Sequence, residues 1–352
     1  MKILQVILGM KKAAGTSVFC AEVCNALVAA GHEVTLAYLC FVPERDYPVD
    51  KRVREWLIKD LDISPRQYDI AHVHGLWSPE LHQAIRKIRA AGVPYVLSPH
   101  GMSAPWSFRH KWWKKWPAWF LYQRDDMKAA AAIHCTTELE AKWNGKFNAC
   151  FVVPIGTFMP PEIESLDKGG VLRVLFVGRI YPVKGLVNLV RAAEILKLAG
   201  VSAVRFRIVG PNQAGHQEEL LSLATSLGVA DLFDWAGPKF GDELAVEYDA
   251  CDMLILPSFT ENFGAVVVDA LAHGKPVLAS RYTPWETLVA HKCGWWVDNA
   301  PGSLAETFKN ILSLSREQMR QMGVRGRALA KTEYEWTAIA EKLVCMYTRY
   351  VK

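Results

Sequence analysis

Glu261 and Asp269, separated by seven residues, carry most of the chemistry that can be read in this chain. They lie in 257–278, Pro-Ser-Phe-Thr-Glu-Asn-Phe-Gly-Ala-Val-Val-Val-Asp-Ala-Leu-Ala-His-Gly-Lys-Pro-Val-Leu. An apolar strand, Met253 to Leu256, runs into a polar turn holding Glu261 and Gly264. The apolar run that follows predicts a helix from about Gly264 to His273, apolar on every side and therefore buried. Its N-terminus would present free N–H groups and a partial positive charge beyond the strand end. Asp269 would lie about 7.5 Å along the helix axis from Gly264. One carboxylate for sugar hydroxyls, one for ribose hydroxyls and a row of N–H groups for phosphate would together hold a nucleotide sugar. The competing reading is an ordinary buried strand–helix element carrying a stray acid.

A second cluster spans 177–185, Val-Gly-Arg-Ile-Tyr-Pro-Val-Lys-Gly. Gly178 ends a strand and lets backbone approach a ligand, and Arg179 and Lys184 flank a short loop before a helix. Two cations so placed suit a diphosphate, Arg as a bidentate fork and Lys as a mobile point charge. Solvent-facing residues capping a helix would be the bland alternative. No Walker loop occurs, and Asp60-Leu61-Asp62 follows a helix-like charged stretch and reads as a solvated face. The cations are thus expected to replace a divalent ion, with no metal and no cofactor. Weaker candidates are the loop Gly9–Thr16, where Gly15 permits a tight turn at a helix start, and the strand-end histidines His74 and His100. A near-neutral His100 could donate to a hydroxyl or stabilise ring charge. His72 and His74, two apart, should face one side of a strand, with His74 the better placed to reach a ligand.

These groups need a framework, and the chain supplies one. β and α patterns alternate throughout, which predicts parallel sheets with crossover helices. Strands are expected over 2–9, 33–39, 70–74, 95–98, 131–135 and 151–154, then over 172–178, 205–210 and 253–256. Helices are expected over 15–31, 81–92, 186–199 and 217–227. Two strand–Gly–helix beginnings imply two Rossmann-like domains, and the Pro- and Gly-bearing stretch 159–170 reads as the linker. Such a protein would bind its ligand where the carboxyl ends of the two sheets face each other.

Composition agrees. A chain of 352 residues suits two domains with separate cores. A net charge of +5 is too small to argue for nucleic acid. Eight cysteines without a Cys-x-x-Cys pair read as reduced core thiols of a cytosolic protein. Residues 3–8 are too short for a signal-peptide core, and no apolar run reaches membrane-spanning length.

The pattern around Glu261 resembles the family-4 retaining glycosyltransferases of the GT-B fold, whose motif is Glu-x7-Glu within Glu-x-Phe-Gly-x4-Glu-Ala-x-Ala-x-Gly-x-Pro-Val. This chain departs from it in having Asp269 as the second acid, one methylene shorter, which predicts a looser ribose contact. The resemblance implies an α/β fold of two Rossmann-like domains facing across a cleft: an acceptor-binding domain over 1–158, linker 159–170, a donor domain over 171–334, and a C-terminal helix over 335–352 that packs back on the first domain. It assigns Gly-Arg-x4-Lys-Gly to the donor pyrophosphate and the histidine of Pro99-His100-Gly101 to the side of the transferred sugar. It puts Asn262, Phe263, Gly264 and Asp269, with Gly15 and Gly178, around the donor, and it implies catalytic roles for Glu261, Arg179, Lys184 and His100.

The oddest stretch is 105–124, with five of the chain's thirteen tryptophans, five Lys or Arg and no acid. On a helical wheel His110, Lys111, Lys114 and Lys115 share one side, and Trp112, Trp113, Trp116, Trp119 and Phe120 share the other. That is the make-up of an interfacial helix on anionic lipid. Pro117 should break it or start a new helix. The alternative puts the aromatics in the core. Pro-His-Gly-Met ahead of a basic aromatic stretch resembles the cell-surface polysaccharide branch of the family. It implies a glycan or lipid-linked acceptor and a cytoplasmic enzyme peripheral to the membrane. The reaction implied is α-retaining sugar transfer by front-face attack. A GT-B sugar-nucleotide 2-epimerase and a non-catalytic nucleotide-sugar-binding protein are the rival readings.

Overall fold

The computed structural model describes residues 1–351 apart from 11–14, 40–46, 61, 66, 106, 108–111 and 163–169. The chain divides into two compact units: Met1–Gly156 with Trp336–Lys352, and Thr157–Glu335. Most of the expected linker 159–170 lies outside the described residues.

The first unit holds seven parallel strands: β1 (Lys2–Ile7), β2 (Glu33–Tyr38), β3 (Arg54–Leu57), β4 (Ile70–His74), β5 (Tyr95–Ser98), β6 (Ala132–Cys135) and β7 (Cys150–Val152). Their order is β3-β2-β1-β4-β5-β6-β7. Both faces are covered, so central strands read as near-continuous apolar runs rather than alternating ones. After Lys2, every residue of β1 is buried, the polar Gln5 included. Helix Gly15–Ala29 packs on the C-terminal helix Trp336–Thr348, whose Trp336, Ile339, Leu343, Met346 and Tyr347 join the core of this unit. Gly156 is required there, since a Cβ on it would stand 2.5 Å from the Trp336 ring.

The second unit holds six parallel strands: β8 (Leu172–Val177), β9 (Val204–Val209), β10 (Phe233–Gly237), β11 (Met253–Leu256), β12 (Val277–Ser280) and β13 (Gly294–Val297). They are ordered β10-β9-β8-β11-β12-β13. The order reverses between β8 and β11, and in the first unit between β1 and β4. Ligands of open parallel sheets bind outside the carboxyl ends of the strands at such switch points. Gly178 follows β8 and the Glu261 turn follows β11, so both sequence clusters flank the switch point of one sheet.

Three expectations are corrected. Residues 54–57 form the edge strand β3 instead of a charged helix, so Asp60 ends the 3-10 turn after that strand, Asp62 comes just beyond it, and both are exposed. Pro117 sits inside helix Trp112–Ala118, and the turn after it, Trp119–Gln123, widens to π geometry. Proline has no N–H to donate to the carbonyl four residues before it, so the helix tolerates Pro117 with one ladder bond fewer. Gly15 is the first residue of its helix with no left-handed φ, and a Cβ there would meet nothing within 4 Å. Residues 11–14 of the loop before it, Ala14 included, lie outside the described residues.

Candidate functional site

The site in the second unit is assembled by three loops. After β8, Gly178 adopts φ 153° and Arg179 leaves the sheet exposed, its Nη1 donating to Gln213 Oε1 at 2.9 Å. The 3-10 turn Pro182–Lys184 ends at Gly185 in the left-handed region, φ 71°. A Cβ on Gly185 would lie 2.0 Å from the Pro257 carbonyl oxygen, so no other residue fits. That closeness lets Phe259 N–H donate to the Val183 carbonyl at 2.8 Å, locking the loop after β8 to the loop after β11.

Within this lock Lys184 Nζ bonds Glu261 Oε1, which also accepts from Ser258 Oγ at 2.8 Å. Ser258 is in turn held through its carbonyl by Ser280 Oγ, at 2.6 Å. The sequence assigned Lys184 to diphosphate and Glu261 to sugar; the structure makes them one partly buried ion pair. A cation and an anion so joined can present positive charge on one side and a hydrogen-bond acceptor on the other.

Gly264, φ 84°, turns the chain into helix Val266–Ala272, two residues later than expected. A Cβ at Gly264 would press on Leu256 at 3.0 Å and on the Trp285 indole at 3.3 Å. Trp285 Nε1 donates to the Phe263 carbonyl at 2.5 Å, and the Phe263 ring is buried against Trp285 and Tyr334. Of Phe263, only backbone is left to meet a ligand. Asp269 lies on this helix with Oδ1 accepting from Thr157 Oγ1 at 2.7 Å. Burial raises its carboxyl to about 6, and the Thr157 hydrogen bond opposes the rise.

Residues that the sequence reading did not single out complete the frame. Ser258 and Ser280 orient the Glu261 turn. Asn299 is buried beside Gly185, its backbone carbonyl accepting from Asn188 Nδ2 at 2.8 Å, and its side-chain amide has no hydrogen-bond partner among the described residues. A lone Ser or Asn after a strand gives no sequence signal, because its neighbours are set by tertiary packing.

In the first unit the strand-end histidines are drawn into one cluster. His72 and His74 do share a side, with ring centroids 4.2 Å apart. Both are buried, so His74 does not reach out toward a ligand as expected; its Nδ1 meets His100 Nε2 at 3.0 Å. His100 is half-exposed at φ 51°, just past β5. Burial lowers all four histidines of the cluster, His100 to about 3 and His134 to about 4, with His72 and His74 well below the usual value, so each ring is neutral.

The aromatic stretch divides. Trp119 packs inward between Trp77 and Phe147. Trp112, Trp113, Trp116, Phe120 and Leu121 are exposed. Lys114 is exposed, whereas Lys115 Nζ bonds Ser107 and lies 5.5 Å over the Trp77 ring; His110 and Lys111 lie outside the described residues. Among the described residues no helix is long and apolar enough to cross a membrane, and no three His, Cys, Asp or Glu are grouped as metal ligands.

Comparison with known proteins bears on both units. Residues 162–329 match the family model described as "Glycosyl transferases group 1", and residues 13–153 match "Glycosyltransferase Family 4". A D-inositol 3-phosphate glycosyltransferase of Nocardia farcinica is 34% identical over 189 residues, 50% of this chain and 40% of that protein's length. The chain thus aligns with less than half of that relative. The fold is similar to that of sucrose-phosphate synthase from Thermosynechococcus elongatus (TM-score 0.80, 19% identity, 99% of each chain). It is also similar to Anabaena Alr3699/HepE in complex with UDP and glucose (0.76, 16%, covering 99% of this chain and 100% of that one). A third likeness is to WaaG, a glycosyltransferase involved in lipopolysaccharide biosynthesis (0.71, 14%, covering 98% and 99%).

Proposed function

The chain belongs to the family-4 glycosyltransferases, with two Rossmann-like units of the GT-B type, and from that premise we propose that it transfers a sugar from a nucleoside diphosphate to an acceptor hydroxyl with retention. The observation that carries this is the Lys184–Glu261 pair, held by the Gly185–Pro257 contact at the switch point of the second sheet. In the proposed reaction the bond from the anomeric carbon to the diphosphate oxygen breaks as the acceptor oxygen bonds to the same face. The acceptor proton passes to the leaving phosphate oxygen. Arg179 and Lys184 offset the charge that develops on the diphosphate, a preorganised electrostatic role that needs no metal ion. Glu261 then positions the sugar instead of acting as a base, and Asp269 holds the ribose, exchanging its Thr157 hydrogen bond for one to a ribose hydroxyl.

A UDP-sugar is the first donor to try, since the structurally similar HepE was solved with UDP and glucose. Melting temperatures over UDP-, GDP-, ADP- and dTDP-sugars test it: a donor at 100 times its Kd should add about 2.7 kcal/mol. No rise with any of them would overturn the proposal.

For the acceptor, a lipid-linked glycan at an anionic membrane surface fits one observation. Trp112, Trp113, Trp116, Phe120 and Leu121 stand exposed on one helical stretch beside Lys114, where core packing would have hidden them.

A further inference from the structure

The face of the first sheet carries a run of polar side chains that crosses four neighbouring strands, from Gln5 on β1 through His72 and His74 on β4 and Ser98 on β5 to His134 on β6, with Tyr347 reaching in from the C-terminal helix. Each contact joins a nitrogen or oxygen to another, and their directions follow from one end. The Val153 carbonyl can only accept, so His134 donates to it from Nε2 at 2.8 Å. A neutral imidazole has one N–H, so His134 Nδ1 must accept from Ser98 Oγ at 2.6 Å. Ser98 has then used its proton and accepts from His72 Nε2 at 2.6 Å. His72 Nδ1, bare in turn, accepts from the Tyr347 hydroxyl at 2.6 Å.

The Tyr347 oxygen can now only accept, which turns the Gln5 amide nitrogen toward it at 3.3 Å. A flipped amide would set two acceptors against each other. Gln5 Oε1 therefore accepts from His74 Nε2 at 2.7 Å, and His74 Nδ1 accepts from His100 Nε2 at 3.0 Å. Phe19 closes the run from above, stacked on His134 and edge-on to His100, with ring centroids 6.0 and 5.2 Å away. His100, half-exposed beyond the carboxyl end of β5, is where it meets the surface.

We propose that this run is a one-way hydrogen-bond relay, anchored at the Val153 carbonyl, which fixes His100 with its proton on Nε2 and a bare Nδ1, so that His100 acts toward a sugar ligand as a hydrogen-bond acceptor for a hydroxyl. No described residue donates to that nitrogen. Within this relay His100 does not donate to a hydroxyl, one of the two roles that the sequence offered it, because its one proton is committed to His74. His134, Ser98, His72, Tyr347, Gln5 and His74 are positioning residues that act through His100. The sugar as ligand rests on the glycosyl-transfer reading; the tautomer does not.

Histidine-selective ¹⁵N labelling of the full chain at pH 7 reads the tautomer directly. The expected spectrum shows His100 with an unprotonated Nδ1 and a proton-bearing Nε2. The opposite tautomer, or a mixture, overturns the relay. Tyr347→Phe removes the middle link and should let His100 populate both tautomers, while His134, tied to Val153, keeps its own. An unchanged His100 would show that the relay does not reach it. If Tyr347→Phe fails to fold, Ser98→Ala cuts the same path nearer its anchor and carries the same expectation. Adding free monosaccharides and nucleoside-diphosphate sugars should shift Nδ1 while Nε2 stays. An unmoved Nδ1 in a sample whose melting temperature rises would overturn the acceptor role. No rise with any sugar would instead tell against glycosyl transfer, with the relay judged by the first spectrum alone.

Discussion

Lys184 and Glu261 restrain each other, and each should fail differently when its partner is removed. Lys184→Ala takes charge from the leaving diphosphate and should lower kcat by roughly 10²–10³, the usual loss for one preorganised transition-state donor. Arg179→Ala should lose a similar amount if it meets the same group, so near-native kinetics in both variants would end the diphosphate assignment. Glu261→Gln should depress kcat while nucleoside diphosphate still binds, which calorimetry with UDP alone can check. Gly185→Ala is a test of the frame: the added methyl cannot coexist with the Pro257 carbonyl at 2.0 Å, so the variant should melt several degrees lower and bind donor weakly. The residue types at these positions could be read directly, because cations and acids flanking strand-end glycines are a local pattern. Their pairing could not, since Lys184 and Glu261 lie 77 positions apart. Nor could the burial that raises Asp269 to about 6, which depends on packing around its helix.

At the scale of elements, strands β4, β5 and β11 fell where apolar runs end in His, Ser or Pro, since a buried parallel strand leaves a continuous apolar signature. The missed strands have physical reasons. β3 is an edge strand reading Arg-Glu-Trp-Leu with three exposed residues, so no burial pattern marks it. β10 and β13 are also edges, only partly buried. The helix Trp112–Ala118 and its π turn carry the membrane prediction. The protein should pellet with vesicles containing anionic lipid at low salt and release as salt screens the attraction. Trp113→Ser with Trp116→Ser should weaken binding more than Lys114→Glu, because burial of exposed aromatic area is the larger contribution. Equal binding to neutral and anionic vesicles, or none to either, would tell against it.

At the scale of the whole molecule, the four neutral histidines of the first unit make stability depend on pH. Unfolded, each would take up a proton near pH 6.5; folded, His134 does so at about 4 and His100 at about 3, and His72 and His74 are held well down too. Between those limits the unfolded chain binds more protons, so stability falls as pH drops below about 6.5, by up to roughly 1.4 kcal/mol per pH unit for each histidine. Asp269 works the other way: raised to about 6 from an ordinary 3.8, it favours the folded state as pH falls through that range, and offsets about one histidine. Denaturation at pH 7 and pH 5 should therefore show a clear loss at pH 5, and equal stabilities would contradict it. The sequence by itself determined the α/β class, two sheets with strand-end glycines, and the residue types around Glu261 and Lys184, because strand and helix periods and turn chemistry are local. Only tertiary structure decided which groups pair: Lys184 with Glu261, Asp269 with Thr157, and the path from Val153 to His100. Those contacts join residues tens to hundreds of positions apart, and what brings them together is the order of the strands, which no local pattern encodes.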